Sequence, residues 1–309
     1  MIEAVGLTKR YGPKTAVDGI SFTVKPGLVT GFLGPNGAGK STTMRLIVGL
    51  DRPTSGTVTI SGKRYQDLKS PLHEVGILLD AKAVHTGRSA RSHLLAMAAT
   101  NGIGSKRVDE VIALTGLESV ANKRVGGFSL GMGQRLGIAS ALLGDPGTLI
   151  LDEPVNGLDP EGVIWVRELA RHLAHEGRTV FLSSHLMSEM AQTADQIIVL
   201  GRGKIIADAP VGDIVAQVSG KAVRVRTPDA SRLERLIAAT DVTVTHTAEP
   251  DVLTIGGLQA PQIGEIAAKS GLVLHELTPI SGSLEDAYLA LTEDEVEYHA
   301  GQFETETAQ

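Results

Sequence analysis

"GFLGPNGAGKSTTMRL", residues 31–46, sets four glycines, a lysine and three hydroxyl residues between an apolar run and a helical pattern. Within it, Gly34, Pro35, Asn36, Gly37, Ala38, Gly39, Lys40 and Ser41 fit the phosphate-loop spacing of a glycine, four residues, then Gly-Lys-Ser. Glycines let the backbone curl so that its N–H groups point inward, and the start of the following helix adds its positive end. The pattern predicts a cradle for a phosphate chain. Lys40 is expected to reach the β- and γ-phosphates, with the Ser41 hydroxyl on Mg²⁺ and Thr42 beside it.

Working outward, residues 1 to about 210 alternate apolar or β-branched runs with helical patterns. "SFTV" (21–24), "LVTGFL" (28–33), "TVTISG" (57–62), "VGILL" (75–79), "TLILDEP" (148–154), "TVFLSS" (179–184) and "QIIVL" (196–200) read as strands. Runs apolar throughout suit strands covered on both faces of a parallel sheet. Helices are expected over 41–50, 89–115 and 130–143, and "GRGK" at 201–204 as a turn closing a hairpin onto "IIAD". "TLILDEP" supplies what the loop lacks. Asp152 at the end of a buried strand can hold Mg²⁺, and Glu153 can polarise an attacking water; two acids there are costly without a compensating cation.

Past residue 220 the pattern changes. "KAVRVRT", "DVTVTHT", "DVLTIGG" and "LVLHELT" alternate like strands, with helical stretches at 229–239 and 261–270, the order of a small ferredoxin-like α+β domain. The last eighteen residues carry six acids and no Lys or Arg, which predicts a solvated tail over 292–309.

Five motifs in one order resemble the ATP-binding subunits of ABC transporters. Besides the phosphate loop and the acidic strand, "FSLGMGQRLGIASALL" (128–143) is similar to the family's signature helix, "NGLDP" (156–160) to its D-loop and "SSHLMSE" (183–189) to its switch-histidine segment. Tyr11, in "KRYG", lies where the family places a ring against adenine. The resemblance spans about residues 2–215 and implies an α/β phosphate-loop NTPase domain over 1–215 with a mixed sheet and a helical subdomain near 85–145, followed by the α+β domain at 220–291. It implies two copies closing head to tail on ATP. Ser129 and the backbone at Gly131 would touch the γ-phosphate from across the interface, Asp159 would link the two sites, and His185 would steady Glu153.

Two departures from the family pattern stand out. Leu130 occupies the place of the first glycine of Leu-Ser-Gly-Gly-Gln, and Asp80 the place of a glutamine touching Mg²⁺ or its water. An aspartate there is expected to act through water. "LLDA", "SLGM" and the added C-terminal domain most resemble the daunorubicin-resistance type of multidrug exporter, implying a separate membrane permease, which Lys82, Arg88 and Arg91 could face. The site would then lie at the cytoplasmic side of the cell membrane.

Composition narrows the alternatives. With 35 acids against 29 bases, a net charge of −6 argues against a dominant nucleic-acid partner. There is no cysteine, which excludes disulfide frameworks and thiolate metal sites. "MIEAVGLTKRYG" lacks the features of a secretory signal, and no stretch reaches the roughly 18 apolar residues of a membrane span. An ABC ATPase acting on DNA or ribosomes would show a coiled-coil insertion or a second phosphate loop. A phosphate-loop kinase would show a substrate lid in place of the signature helix. Trp165 reads as packing, and His172 and His175 as solvated residues.

Overall fold

A computed structural model describes residues 1–81, 83–216, 222–238, 242–247, 249–280 and 282–292. Lys82 and the acidic tail beyond 292 lie outside the described residues. The chain divides into two compact units, Met1–Pro210 together with Leu291 and Thr292, and Val211–Ala290.

The first unit runs β1 (Ile2–Tyr11), β2 (Lys14–Val24), β3 (Val29–Leu33), α1 (Lys40–Ile47), β4 (Ser55–Ile60), α2 (Pro71–Glu74) and β5 (Val75–Leu78). It continues through α3 (Ala90–Thr100), α4 (Ser105–Leu114), α5 (Leu130–Leu142), β6 (Thr148–Leu151), α6 (Pro160–His175), β7 (Thr179–Ser183), α7 (Met187–Thr193), β8 (Gln196–Gly201) and β9 (Lys204–Pro210). Six strands form one sheet in the order β5-β6-β7-β3-β8-β9, parallel except for the β8–β9 hairpin. β3, β6 and β7 are buried at every position, as expected for strands covered on both faces. A three-stranded antiparallel sheet, β2-β1-β4, lies against them.

The main core fills the space between the two sheets. Ile2, Leu7, Phe22 and Val58 of the antiparallel sheet meet Phe32, Ile150, Phe181 and Ile198 of the large one, with Met44 and Ile47 of α1 between them. The rings of Phe22, Phe32 and Phe181 sit 5.1–6.0 Å apart. Each such buried side chain contributes about 1.5–3 kcal/mol. The effect is to clamp β3 and α1, and hence the turn joining them, on a rigid base.

Several details differ from the sequence expectation. β1, and β2 before Ser21, are strands that the alternation did not reveal, because register shifts between Ala4, Leu7, Lys9 and Arg10 break the two-residue period. The helical region at 89–115 is two helices, separated at Asn101 and Gly102, where Gly102 has φ +68°. β3 itself starts at Val29, one residue later than expected.

The second unit runs α8 (Val211–Ala216), β10 (Ala222–Arg226), α9 (Ala230–Ile237), β11 (Thr243–His246), β12 (Val252–Gly256), α10 (Ala260–Lys269), β13 (Glu276–Pro279) and α11 (Leu284–Thr292). Its sheet order is β11-β12-β10-β13, antiparallel throughout. With α9 and α10 as the two crossovers, this is ferredoxin-like. Val223, Val225, Leu253 and Ile255 of the sheet pack against Leu233, Ile237 and Ile263 of those helices.

Candidate nucleotide site

The C-terminal ends of β3, β6 and β7 converge on one spot because these three strands are adjacent in the sheet. The turn Gly34–Gly39 leaves β3 and enters α1. Gly39 caps α1 with φ +107°, and a Cβ there would stand 2.4 Å from the Ala16 carbonyl oxygen of β2. Only glycine fits that approach. No side chain caps α1 and no acid lies in its first turn, so its leading N–H groups face the turn without a competing protein anion.

Lys40 is buried, and its Nζ donates to the carbonyls of Gly34 at 2.6 Å and Pro35 at 3.3 Å. The ammonium thus holds the loop closed from inside. Burial lowers its pKa, and the charges of Glu153 and Asp152 oppose that shift. A cavity of about 330 Å³ opens beside it, lined by Lys14, Ala16, Pro35, Asn36, Gly37, Gly39, Lys40, Ser41, Thr42, Asp152 and Glu153. Backbone donors, an ammonium and hydroxyls on one side and two carboxylates on the other match a phosphate chain with a divalent cation. A larger cavity, about 620 Å³ around Arg52, Arg64 and Tyr65, has Asp51 as the one acid among the described residues of its lining.

The acids are held from several directions. Asp152 N donates to Leu78 O of β5 at 2.7 Å, and its Oδ1 accepts from Ser183 Oγ at 2.5 Å. Glu153 adopts a left-handed backbone, φ +50°, unusual for a residue with a side chain. Its N–H donates to Ser183 Oγ at 2.9 Å, and its carbonyl accepts from Gln134 Nε2 of α5 at 2.9 Å. Its Oε2 lies 2.7 Å from His185 Nδ1.

The remaining expected residues lie outside the cavity lining. Ser129 and Asp159 are the N-caps of α5 and α6, accepting from Met132 N at 3.2 Å and Gly162 N at 2.9 Å. Gly131 lies against Gly157, where a Cβ on it would come within 2.8 Å of the carbonyl. Leu130, half exposed, lays its side chain over Gly157 so closely that a Cβ at 157 would be 2.3 Å from Leu130 Cδ2. Tyr11 is exposed, its hydroxyl donating to Asp51 Oδ2 at 2.9 Å while Lys9 Nζ sits 4.9 Å from its ring. Burial, then the Asp51 bond, raise its pKa. Asp80 is exposed just beyond β5, and its carbonyl accepts from Ala83 N. Gly34 and Ala38 are the buried residues of the turn itself. Arg91 pairs with Asp109 at 2.8 Å, and Trp165 lies 4.9 Å under the Arg135 guanidinium. Among the described residues no helix is long and apolar enough to cross a membrane.

Sequence reading missed Lys14, Ala16, Gln134 and Ser183. Ser183 and Gln134 stood inside quoted motifs, yet nothing in their spacing tied them to the acids.

Comparison with known proteins shows the family. The ABC transporter family matches residues 17–156, and a domain of unknown function matches 221–285. A bacitracin transport ATP-binding protein of Bacillus licheniformis is 37% identical over 94% of this chain and 97% of its own length. The chain belongs to the ABC transporter family. A lantibiotic transport ATP-binding protein of Streptococcus pyogenes is 36% identical over 67% of this chain and 90% of its own. Among solved structures, an ATP-binding subunit of an ABC transporter superposes with a TM-score of 0.64 at 27% identity, covering 70% of this chain and 92% of that one. The dimeric structure of a bacterial ABC transporter cassette gives 0.63 at 25% identity, covering 68% and 99%. The chain is therefore an ATP-binding subunit of an ABC transporter, an ATPase.

Proposed function

We propose that this subunit powers export of a peptide-like antibiotic or similar drug through a separate membrane permease, hydrolysing ATP between two identical copies. The reading is supported by relatives named for bacitracin and lantibiotic transport and by the dimeric cassette. It locates the subunit at the cytoplasmic face of the membrane, held there by the permease. Acting on nucleic acid is the weaker reading, given the acidic balance.

The observation that carries the mechanism is Glu153, fixed at backbone and side chain beside Lys40 and the glycine turn. In the proposed assignment the turn Gly34–Gly39 and the N–H groups of α1 hold the phosphates, and Lys40 sits against the β- and γ-phosphates. Ser41 and Asp152 would hold Mg²⁺, with Asp80 reaching it through water; the ion neutralises charge on the phosphates when bound. Glu153 accepts the proton of the water attacking the γ-phosphorus, and His185, bonded to its carboxylate, keeps it aimed. Tyr11 supports the adenine. Ser129 and Gly131 of the second copy complete the γ-phosphate contacts and Asp159 links the two sites, so hydrolysis waits for closure.

Glu153→Gln tests this. ATP binding is expected to persist while turnover falls at least about a hundredfold, about 2.7 kcal/mol of barrier. Normal turnover in that variant removes Glu153 from the role of base.

A further inference from the structure

We propose that Ser183 is a positioning residue for hydrolysis, its one hydroxyl setting the metal-side carboxylate of Asp152 and the base Glu153 in fixed relation to each other. The proposal rests on the functional reading above and deepens it.

Ser183 ends β7 and is fully buried. Its backbone pairs with Phe32 of β3, two residues before the glycine turn. On the other side β6 runs parallel, with Leu151 opposite Leu182, so Asp152 arrives beside Ser183. The hydroxyl then meets two partners. It stands 2.5 Å from Asp152 Oδ1 and 2.9 Å from Glu153 N.

A serine hydroxyl has one proton to give. A carboxylate oxygen cannot donate and an amide N–H cannot accept, so the polarity is single-valued. Ser183 donates to Asp152 and accepts from Glu153. The bond to Asp152 is charge-assisted and ties up Oδ1, leaving the second carboxylate oxygen for the cation. The bond from Glu153 holds the N–H of a residue in left-handed conformation, φ +50°. Gln134 takes the carbonyl of the same residue at 2.9 Å. Glu153 is thereby fixed at both ends of its backbone, and its side chain is aimed from that fixed point toward His185. Strain of this kind persists only where the surroundings over-determine it. Ser183 is the component shared by both acids, so its removal should disturb cation binding and proton abstraction together.

The test uses the full chain and its Ser183→Ala and Ser183→Thr variants. A fluorescent ATP analogue is titrated by anisotropy in EDTA and again in Mg²⁺, and kcat and KM for MgATP are measured separately. Loss of an outer-shell partner typically costs about 10- to 100-fold in metal affinity or activity. Ser183→Ala should therefore keep the parent's affinity in EDTA, lose most of the gain in affinity that Mg²⁺ confers, and lose about 10- to 100-fold in kcat. Ser183→Thr, which keeps the hydroxyl, should recover both. Thermal melting checks that each variant folds; should Ser183→Ala not fold, Ser183→Cys, similar in size with a weak donor, is read the same way. A loss confined to one of the two readouts, or to neither, overturns the shared-hydroxyl proposal. Lys40→Ala separates this from the wider reading: if it binds ATP like the parent, the nucleotide site itself is misassigned. If it loses binding while Ser183→Ala behaves as the parent, Ser183 alone is misassigned.

Discussion

Gly39→Ala adds one methyl group at the point where the nucleotide turn becomes a helix. The backbone there has φ +107°, a conformation L side chains rarely adopt, which costs about 1–3 kcal/mol. The new Cβ would also stand 2.4 Å from the Ala16 carbonyl oxygen and 3.3 Å from Leu200 Cδ2. The leucine could rotate away. The carbonyl has less freedom, since Ala16 is a bulge residue within β2 whose neighbours Thr15 and Val17 are paired with Arg10 and Lys9. Forced overpacking of this kind adds about 1–3 kcal/mol. The two effects together give roughly 2–6 kcal/mol, a large share of the roughly 5–15 kcal/mol that keeps a domain folded. Gly12→Ala is the control. Its φ is +58° with nothing within 4 Å, so only the backbone cost applies, about 1 kcal/mol. Urea unfolding of both variants beside the parent, with ATP affinity measured on the folded fraction, separates the contributions. Gly39→Ala should lower the unfolding midpoint several times more than Gly12→Ala and weaken ATP binding, which Gly12→Ala leaves alone. Equal destabilisation by the two would refute the reasoning, because it would mean the contact with Ala16 carries no cost.

Three further outcomes follow from the same geometry. Lys40→Ala should lose at least about tenfold in ATP affinity by equilibrium binding, since charge-assisted bonds to phosphate disappear with the ammonium. Asp145 Oδ1 accepts from Arg178 at 2.7 Å, which with its charge holds the Asp145 carboxyl below its usual 3.8. A lowered folded-state pKa means stabilisation present above 3.8 and lost as pH falls through the folded value. Asp145→Asn should thus cost about 0.2–1 kcal/mol in urea unfolding at pH 7, small because Asp145 is largely exposed, with the gap to the parent shrinking below pH 3.8. Replacing residues 211–290 by a short flexible linker should leave ATP affinity of the remaining chain within about threefold, because a compact unit with its own core can fold alone; outright loss of binding would contradict the division at Pro210.

How much of this was legible beforehand differs by element. The phosphate turn, α1 and the buried strands carrying Asp152 and Ser183 announce themselves, because glycine spacing and unbroken apolar runs are local signals. β1 did not, since its bulges scramble the alternation that would mark it. The bond between Gln134 and the carbonyl of Glu153 joins residues nineteen apart through a helix side chain, and no local pattern encodes such a meeting. The same holds for Ser183, which reaches Asp152 only because β6 and β7 are neighbours. The Leu130 side chain against Gly157 is likewise a tertiary fact. Sequence alone marked Leu130 as out of place without showing what it touches.

That last contact ties the histories of two positions together. The volume over residue 157 is already taken by the branches at 130, so whichever of the two sites enlarges first closes the other to growth. Position 157 carries a second constraint, because its φ of +74° disfavours a side chain even where space is free, so shedding bulk at 130 does not by itself open 157 to growth. A panel of diverged sequences carrying this signature should therefore keep glycine at 157 beside a large residue at 130, and show Asn or Asp at 157 only where 130 is small.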